Sequence, residues 1–272
     1  MKSEKPATSQ LRLRVFAGPN GSGKSTVIKS IRESEASGRQ IDVGVYINAD
    51  DIARALSEDK FSFNVYELEP APNNFFDFAV VSGLISEQFT LYQLQAAIRF
   101  ESKIIKLVDR RALDRVAQLI ARFLREALLK DRRRFSFETV FSHESNLEIM
   151  EQAAAAGYKV YLYFVSTESP EINNYRVLLR KTQGGHDVPA DKITSRYTSS
   201  LGLLYRTAQI AYQAFFFDNS LNEAPFRLIG HFKNVDGNKN WDTVSSADQT
   251  AWFEKYYLSI ARENGDSVPL VD

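Results

Sequence analysis

The chain contains no cysteine. Disulfides, thiolate metal sites and a cysteine nucleophile are therefore excluded, and a reducing cytoplasm suits it. Histidine is nearly as scarce. His143, His186 and His231 are the three present, none paired at the spacing a zinc site needs. An excess of either charge is also missing: Lys+Arg and Asp+Glu stand at 34 each, so nothing points to a nucleic-acid partner. Long apolar runs are absent too. "FAVVSGLI" (78–85) falls far short of a membrane span, and "MKSEKPATSQ" at the start has no signal-peptide core. What remains reads as a soluble globular protein, 44% hydrophobic and 25% charged, long enough at 272 residues for one α/β domain with an insertion.

What is present is a glycine-rich loop. "VFAGPNGSGKSTVIKS" (15–30) spells G-x-x-x-x-G-K-S after a predicted strand (11–17) and before a predicted helix (24–34). That context makes it a triphosphate-binding loop. Backbone N–H groups converge on phosphate oxygens, and glycine lets the chain come close enough. Gly18, Gly21 and Gly23 supply the turn, with Pro19, Asn20 and Ser22 between them. Lys24 bridges the outer phosphates, the Ser25 hydroxyl ligates Mg²⁺, and Thr26 touches the inner phosphate.

Strands are predicted at 43–48, 135–141, 159–165, 214–220 and 226–232, with helices after most of them. The alternation gives an α/β fold: a mostly parallel sheet flanked by helices, the three-layer sandwich of P-loop NTPases. Apolar positions at i, i+3, i+4 and i+7 mark a helix through 113–128, and 190–213 reads as one long helix. The expected organisation is a P-loop domain over 11–232 with a helical insertion at about 57–131. A C-terminal extension with one helix follows at 233–272.

Several charged residues fall where phosphoryl transfer needs them. Asp50 in "INADDIAR" follows the second strand, where a general base can meet an acceptor hydroxyl; Asp51 competes for the role, and either can instead cap the next helix. Glu138 in "FSFETVFS" is a strand-end carboxylate suited to the acceptor or to metal-bound water, with Thr139 beside it. Arg176 and Arg180 lie one turn apart, and Arg196 stands beyond the "GGHDVP" hinge that holds His186. Such a lid can bring guanidinium groups, and His186, onto phosphate or substrate.

"AGPNGSGKST", "INADDIAR", "FSFETVFS", "QGGHDVP" and "FDNS", in that order, resemble the zeta-toxin family of P-loop kinases over about 11–56 and 132–220. The resemblance implies an ATP- and Mg²⁺-dependent phosphotransferase acting on a small-molecule hydroxyl, with UDP-N-acetylglucosamine the acceptor of the best-known members. It implies a toxin role and an antitoxin protein as partner. Carried over, Asp50 activates the acceptor, Glu138 contacts the sugar, and Arg180, or else Arg176, is the first lid arginine. The chain departs from the family where a second lid arginine is expected: His186 stands there, and Arg196 is the nearest replacement.

Other classes fit less well. A transporter ATPase needs an LSGGQ-type signature and an adjacent Asp-Glu pair, and neither occurs. A GTPase needs NKxD, whereas "NKNW" (238–241) lacks the aspartate. The alternative from another class is a nucleotide-binding regulatory module in which 57–131 or the tail engages a protein.

Overall fold

A computed structural model of the protein describes residues 10–36, 38–182, 188–242 and 250–268. The chain forms two compact units, one of residues 1–44 with 138–272 and the other of residues 45–137. The first unit opens with β1 (Arg12–Ala17), α1 (Lys24–Glu33) and a two-residue hairpin, β2 (Glu35–Ala36) and β3 (Arg39–Gln40).

The second unit holds β4 (Val45–Ile47), α2 (Ala49–Ser57), a 3₁₀ turn (Phe63–Tyr66), α3 (Pro72–Val81) and α4 (Leu91–Ala97). β5 (Ile98–Glu101), β6 (Ile104–Leu107) and the long α5 (Leu113–Lys130) follow. The stripe predicted along α5 is its buried face: Val116, Ala117, Ile120, Phe123, Leu124 and Leu128 are all covered. Phe63, Phe75 and Phe123 pack edge to face in the same core. β4 pairs in parallel with β7 (Phe135–Thr139), which carries the chain back into the first unit at Glu138.

The first unit continues through α6 (Ser145–Ala155), β8 (Lys159–Ser166), α7 (Pro170–Thr182), α8 (Ala190–Gly202), α9 (Leu204–Ile210) and β9 (Gln213–Asp218). It closes with β10 (Arg227–Val235), β11 (Asn238–Trp241) and a C-terminal helical run: α10 (Ala251–Phe253), a π-turn (Glu254–Leu258) and α11 (Ser259–Glu263). Its strands lie in the order β11-β10-β9-β8-β1. β1, β8 and β9 run parallel, and β10 and β11 extend the sheet antiparallel. The fold class is thus α/β with mostly parallel strands, as expected.

Three expectations need correction. The stretch 57–131 is not purely helical, because β5 and β6 form an antiparallel hairpin within it. Its turn uses Ser102 at φ +58 with no Gly or Asn, so the usual hairpin signal is missing. The long helix at 190–213 breaks at Leu203, immediately after Gly202, a residue that weakens helix interiors. The extension expected to hold one helix also holds a strand, "NKNW"; the Asp236-Gly237 turn before it, both residues at positive φ, is a hairpin signal readable in the sequence.

Candidate functional site

The loop between β1 and α1 is shaped by what glycine permits. Gly21 has φ +78, and a Cβ there would stand 2.6 Å from the Asn173 carbonyl oxygen of α7. Gly23 has φ +92, and a Cβ would come within 2.1 Å of the Asn219 amide nitrogen. Gly23 is also the N-cap of α1, so no side chain caps that helix, and no acidic residue sits in its first turn. The amides of Thr26 and Val27 bond the Gly23 carbonyl. The earlier N–H groups of the turn have no intrahelical acceptor, leaving a positive helix end aimed out of the loop.

Lys24 folds back over that end. It is buried, and its Nζ donates to the carbonyls of Gly18 (2.9 Å) and Pro19 (3.0 Å). Glu138 Oε1 lies 4.0 Å from the same nitrogen, so the strand-end carboxylate and the loop lysine do meet. Ser25 and Thr26 are exposed at the mouth of the loop, while the buried Ser22 hydroxyl has no hydrogen-bond partner among the described residues. This donor set fits a polyphosphate: a helix N-terminus with no side-chain cap, a held ammonium group, and a buried hydroxyl.

The lid residues divide. Arg196, half-buried on α8, reaches the loop, with its Nη1 donating to Asn20 Oδ1 at 3.5 Å. Arg176 faces the turn after β9. Its guanidinium donates to the carbonyls of Asn219 (2.6 Å) and Leu221 (3.0 Å), and to Asn222 Oδ1 (3.0 and 3.2 Å). Arg180 is exposed one turn further along α7. His186 lies outside the described residues. α7 and α8 share a small core of Val177, Val188 and Ile193. Both are tied to the end of β8: Asn173 Oδ1 accepts from the Thr167 hydroxyl at 2.6 Å, and Tyr197 donates to the Thr167 carbonyl at 2.7 Å. Burial of the Tyr197 phenol pushes its pKa well up, so it remains a donor there.

Thr139 is engaged locally. Its hydroxyl donates to Asn146 Oδ1 and accepts the Phe141 N–H, shaping a turn in which buried Phe141 takes φ +58.

Asp50 belongs to the second unit. Asn48, not an aspartate, caps α2: its Oδ1 accepts the Asp50 N–H at 2.8 Å. Asp51 pairs with Arg54 at 3.4 Å. The exposed Asp50 carboxylate is thereby spared both competing duties.

Residue patterns missed one group, the turn 218–220. Asn219 Nδ2 donates to the Ser22 carbonyl at 2.8 Å, and its own N–H bonds the Ser166 carbonyl at 2.9 Å. "FDNS" was visible as a motif, but only folding shows that it props the loop.

No protein-family model matches the chain, and no curated protein matches it. Among solved structures, the AvrRxo1-ORF1:ORF2 complex with ATP contains a chain 14% identical, covering 92% of this chain and 64% of that one, at TM-score 0.47. The same complex with sulphate ions gives 13% identity, 97% and 67% coverage, and TM-score 0.48. A chain from the PezAT chromosomal toxin–antitoxin system of Streptococcus pneumoniae is 13% identical, with 94% and 82% coverage and TM-score 0.46. The protein thus spans just under two thirds of the AvrRxo1 chain seen with ATP. These likenesses are distant, and the functional reading rests on the geometry of the loop itself.

Proposed function

We propose that the protein is an ATP-dependent phosphotransferase of the zeta-toxin type, passing the γ-phosphoryl group to a hydroxyl of a small molecule. UDP-N-acetylglucosamine is the first acceptor to test. The observation that carries this reading is the convergence at the phosphate loop of Lys24, Glu138 and Arg196, brought from three separate parts of the chain. A binding module needs the loop; it does not need a carboxylate and a lid arginine gathered beside it.

In this reading the loop amides and Lys24 hold the triphosphate, and Arg196 and Arg180 neutralise charge that builds on the transferred group. Lys24 releases its carbonyl contacts to phosphate oxygens when ATP arrives. Glu138 orients the acceptor, with Thr139 shaping the same strand end and His186 contributing from the lid, while Arg176 holds the 219–222 turn. Asp50 takes the acceptor proton. Ser25 would hold Mg²⁺, which supplies charge neutralisation between the outer phosphates. Mg²⁺ at such sites is commonly held by one or two protein ligands with substrate phosphates and water. An antitoxin-like protein is the proposed macromolecular partner.

The test is incubation with ATP, Mg²⁺ and a panel of nucleotide-sugars, nucleotides and simple alcohols, read by mass spectrometry. A product heavier by one phosphate is expected. ATP binding with no phosphorylated product across the panel would refute transfer and leave a nucleotide-binding module.

A further inference from the structure

The C-terminal run is wired into the phosphate loop. Trp252 is buried, and its indole N–H donates to Oδ1 of Asp218 at 3.1 Å. Asp218, only 2% exposed, also accepts from the Ser220 hydroxyl (2.5 Å) and Arg227 (3.2 Å). The Ser220 oxygen accepts the Glu168 N–H at 2.9 Å. The Glu168 carboxylate returns to the start by accepting the backbone N–H groups of Ala251 (3.1 Å) and Trp252 (3.4 Å). Trp252, Asp218, Ser220 and Glu168 therefore form a closed ring of hydrogen bonds around the turn.

Asn219 is the residue held in the middle of that ring. Its side-chain nitrogen bonds the Ser22 carbonyl at 2.8 Å and lies where a Cβ on Gly23 would be. Its carbonyl takes Arg176. A buried carboxylate with its donors in place is a rigid anchor, and loss of the Trp252 donor leaves Oδ1 under-satisfied in low dielectric even with Arg227 still paired. The turn can then shift, and the Asn219 amide shifts with it.

We propose that Trp252 is a positioning residue that sets triphosphate affinity, holding the 218–220 turn so that Asn219 fixes Ser22 and Gly23 in their phosphate-binding conformation. This rests on the reading of residues 18–26 as a triphosphate loop. Residues past 250, which match no motif, thereby belong to the nucleotide site.

The experiment is a double-mutant cycle between Trp252→Phe and Asn219→Ala in the full chain, with ATP affinity measured by calorimetry and folding by thermal denaturation. Phe keeps an aromatic ring against Phe164 and Phe253 but removes the indole N–H together with part of the ring's bulk, so the thermal measurement separates lost packing from lost affinity. Each single variant is expected to weaken ATP binding about tenfold, the scale of a lost hydrogen bond to a charged group, and the double no further than either single. Effects that multiply to about a hundredfold, or a Trp252→Phe variant with lower melting temperature and unchanged affinity, would overturn the link. Should Trp252→Phe not fold, Ser220→Ala replaces it, since that hydroxyl joins Asp218 to Glu168. Wild-type protein that binds no ATP overturns the loop reading itself; wild type that binds while the variants bind equally well overturns this inference alone.

Discussion

Replacing Gly21 by alanine tests the packing of the phosphate loop directly. Two penalties add at this position. The φ of +78 costs an L-residue roughly 1–2 kcal/mol. The new Cβ would also sit 2.6 Å from the Asn173 oxygen and 3.0 Å from its Cα. Both are backbone atoms of α7, so no side-chain rotation relieves the contact, and overpacking of this kind costs about 1–3 kcal/mol. The expected destabilisation is therefore about 2–5 kcal/mol. Gly157→Ala is the internal control. Its φ is +84, but nothing lies within 4 Å of the added Cβ, so only the conformational penalty applies. Urea unfolding followed by tryptophan fluorescence suits the comparison, because both tryptophans, 241 and 252, lie in the unit that holds the loop. Gly21→Ala should cost about 1–3 kcal/mol more than Gly157→Ala. Equal costs would refute the claim that α7 is seated on the loop.

Asp50→Ala should keep ATP affinity and lower transfer by about 10²–10⁴-fold, the range for a lost general base; full transfer would exclude Asp50 from that role. Arg196→Ala should cut transfer about a hundredfold with little loss of stability. Arg176→Ala should instead cost about 1–3 kcal/mol of stability, since its guanidinium binds the 219–222 turn; the reverse pattern would exchange the two assignments. Burial raises the Asp266 carboxyl, but the hydrogen bond from Lys239, aided by Gln209 and Tyr205, outweighs it and holds the group below its ordinary range. A depressed carboxylate stabilises above its unfolded pKa and loses that contribution as pH falls through the folded value. The stability deficit of Asp266→Asn relative to wild type should accordingly be full at neutral pH and shrink below about pH 4. A deficit constant down to strong acid, measured by melting temperature against pH, would show that the ionic contacts do not matter.

The glycine-rich loop was legible in the sequence because its backbone demands are local: glycines at fixed spacing between a strand and a helix. Glu138 was legible for a related reason, since a carboxylate closing an apolar strand is a one-dimensional pattern, and it does meet Lys24. The parallel strands were likewise visible in their apolar runs. The sequence could not rank the arginines. Arg176, Arg180 and Arg196 look alike as letters, and only the packing of α7 and α8 turns one to the β9 turn and another to Asn20. The hairpin at 98–107 escaped because its turn carries no glycine. Asn48, rather than either aspartate, won the α2 cap because Asn48, Asp50 and Asp51 are all capping residues within four positions, which leaves that competition to geometry. The Trp252–Asp218 bond spans 34 positions and joins the "FDNS" motif to a residue that matches no pattern. Local backbone requirements write themselves into neighbouring letters; contacts between distant segments depend on where the whole unit places them, and that is settled only when its core forms.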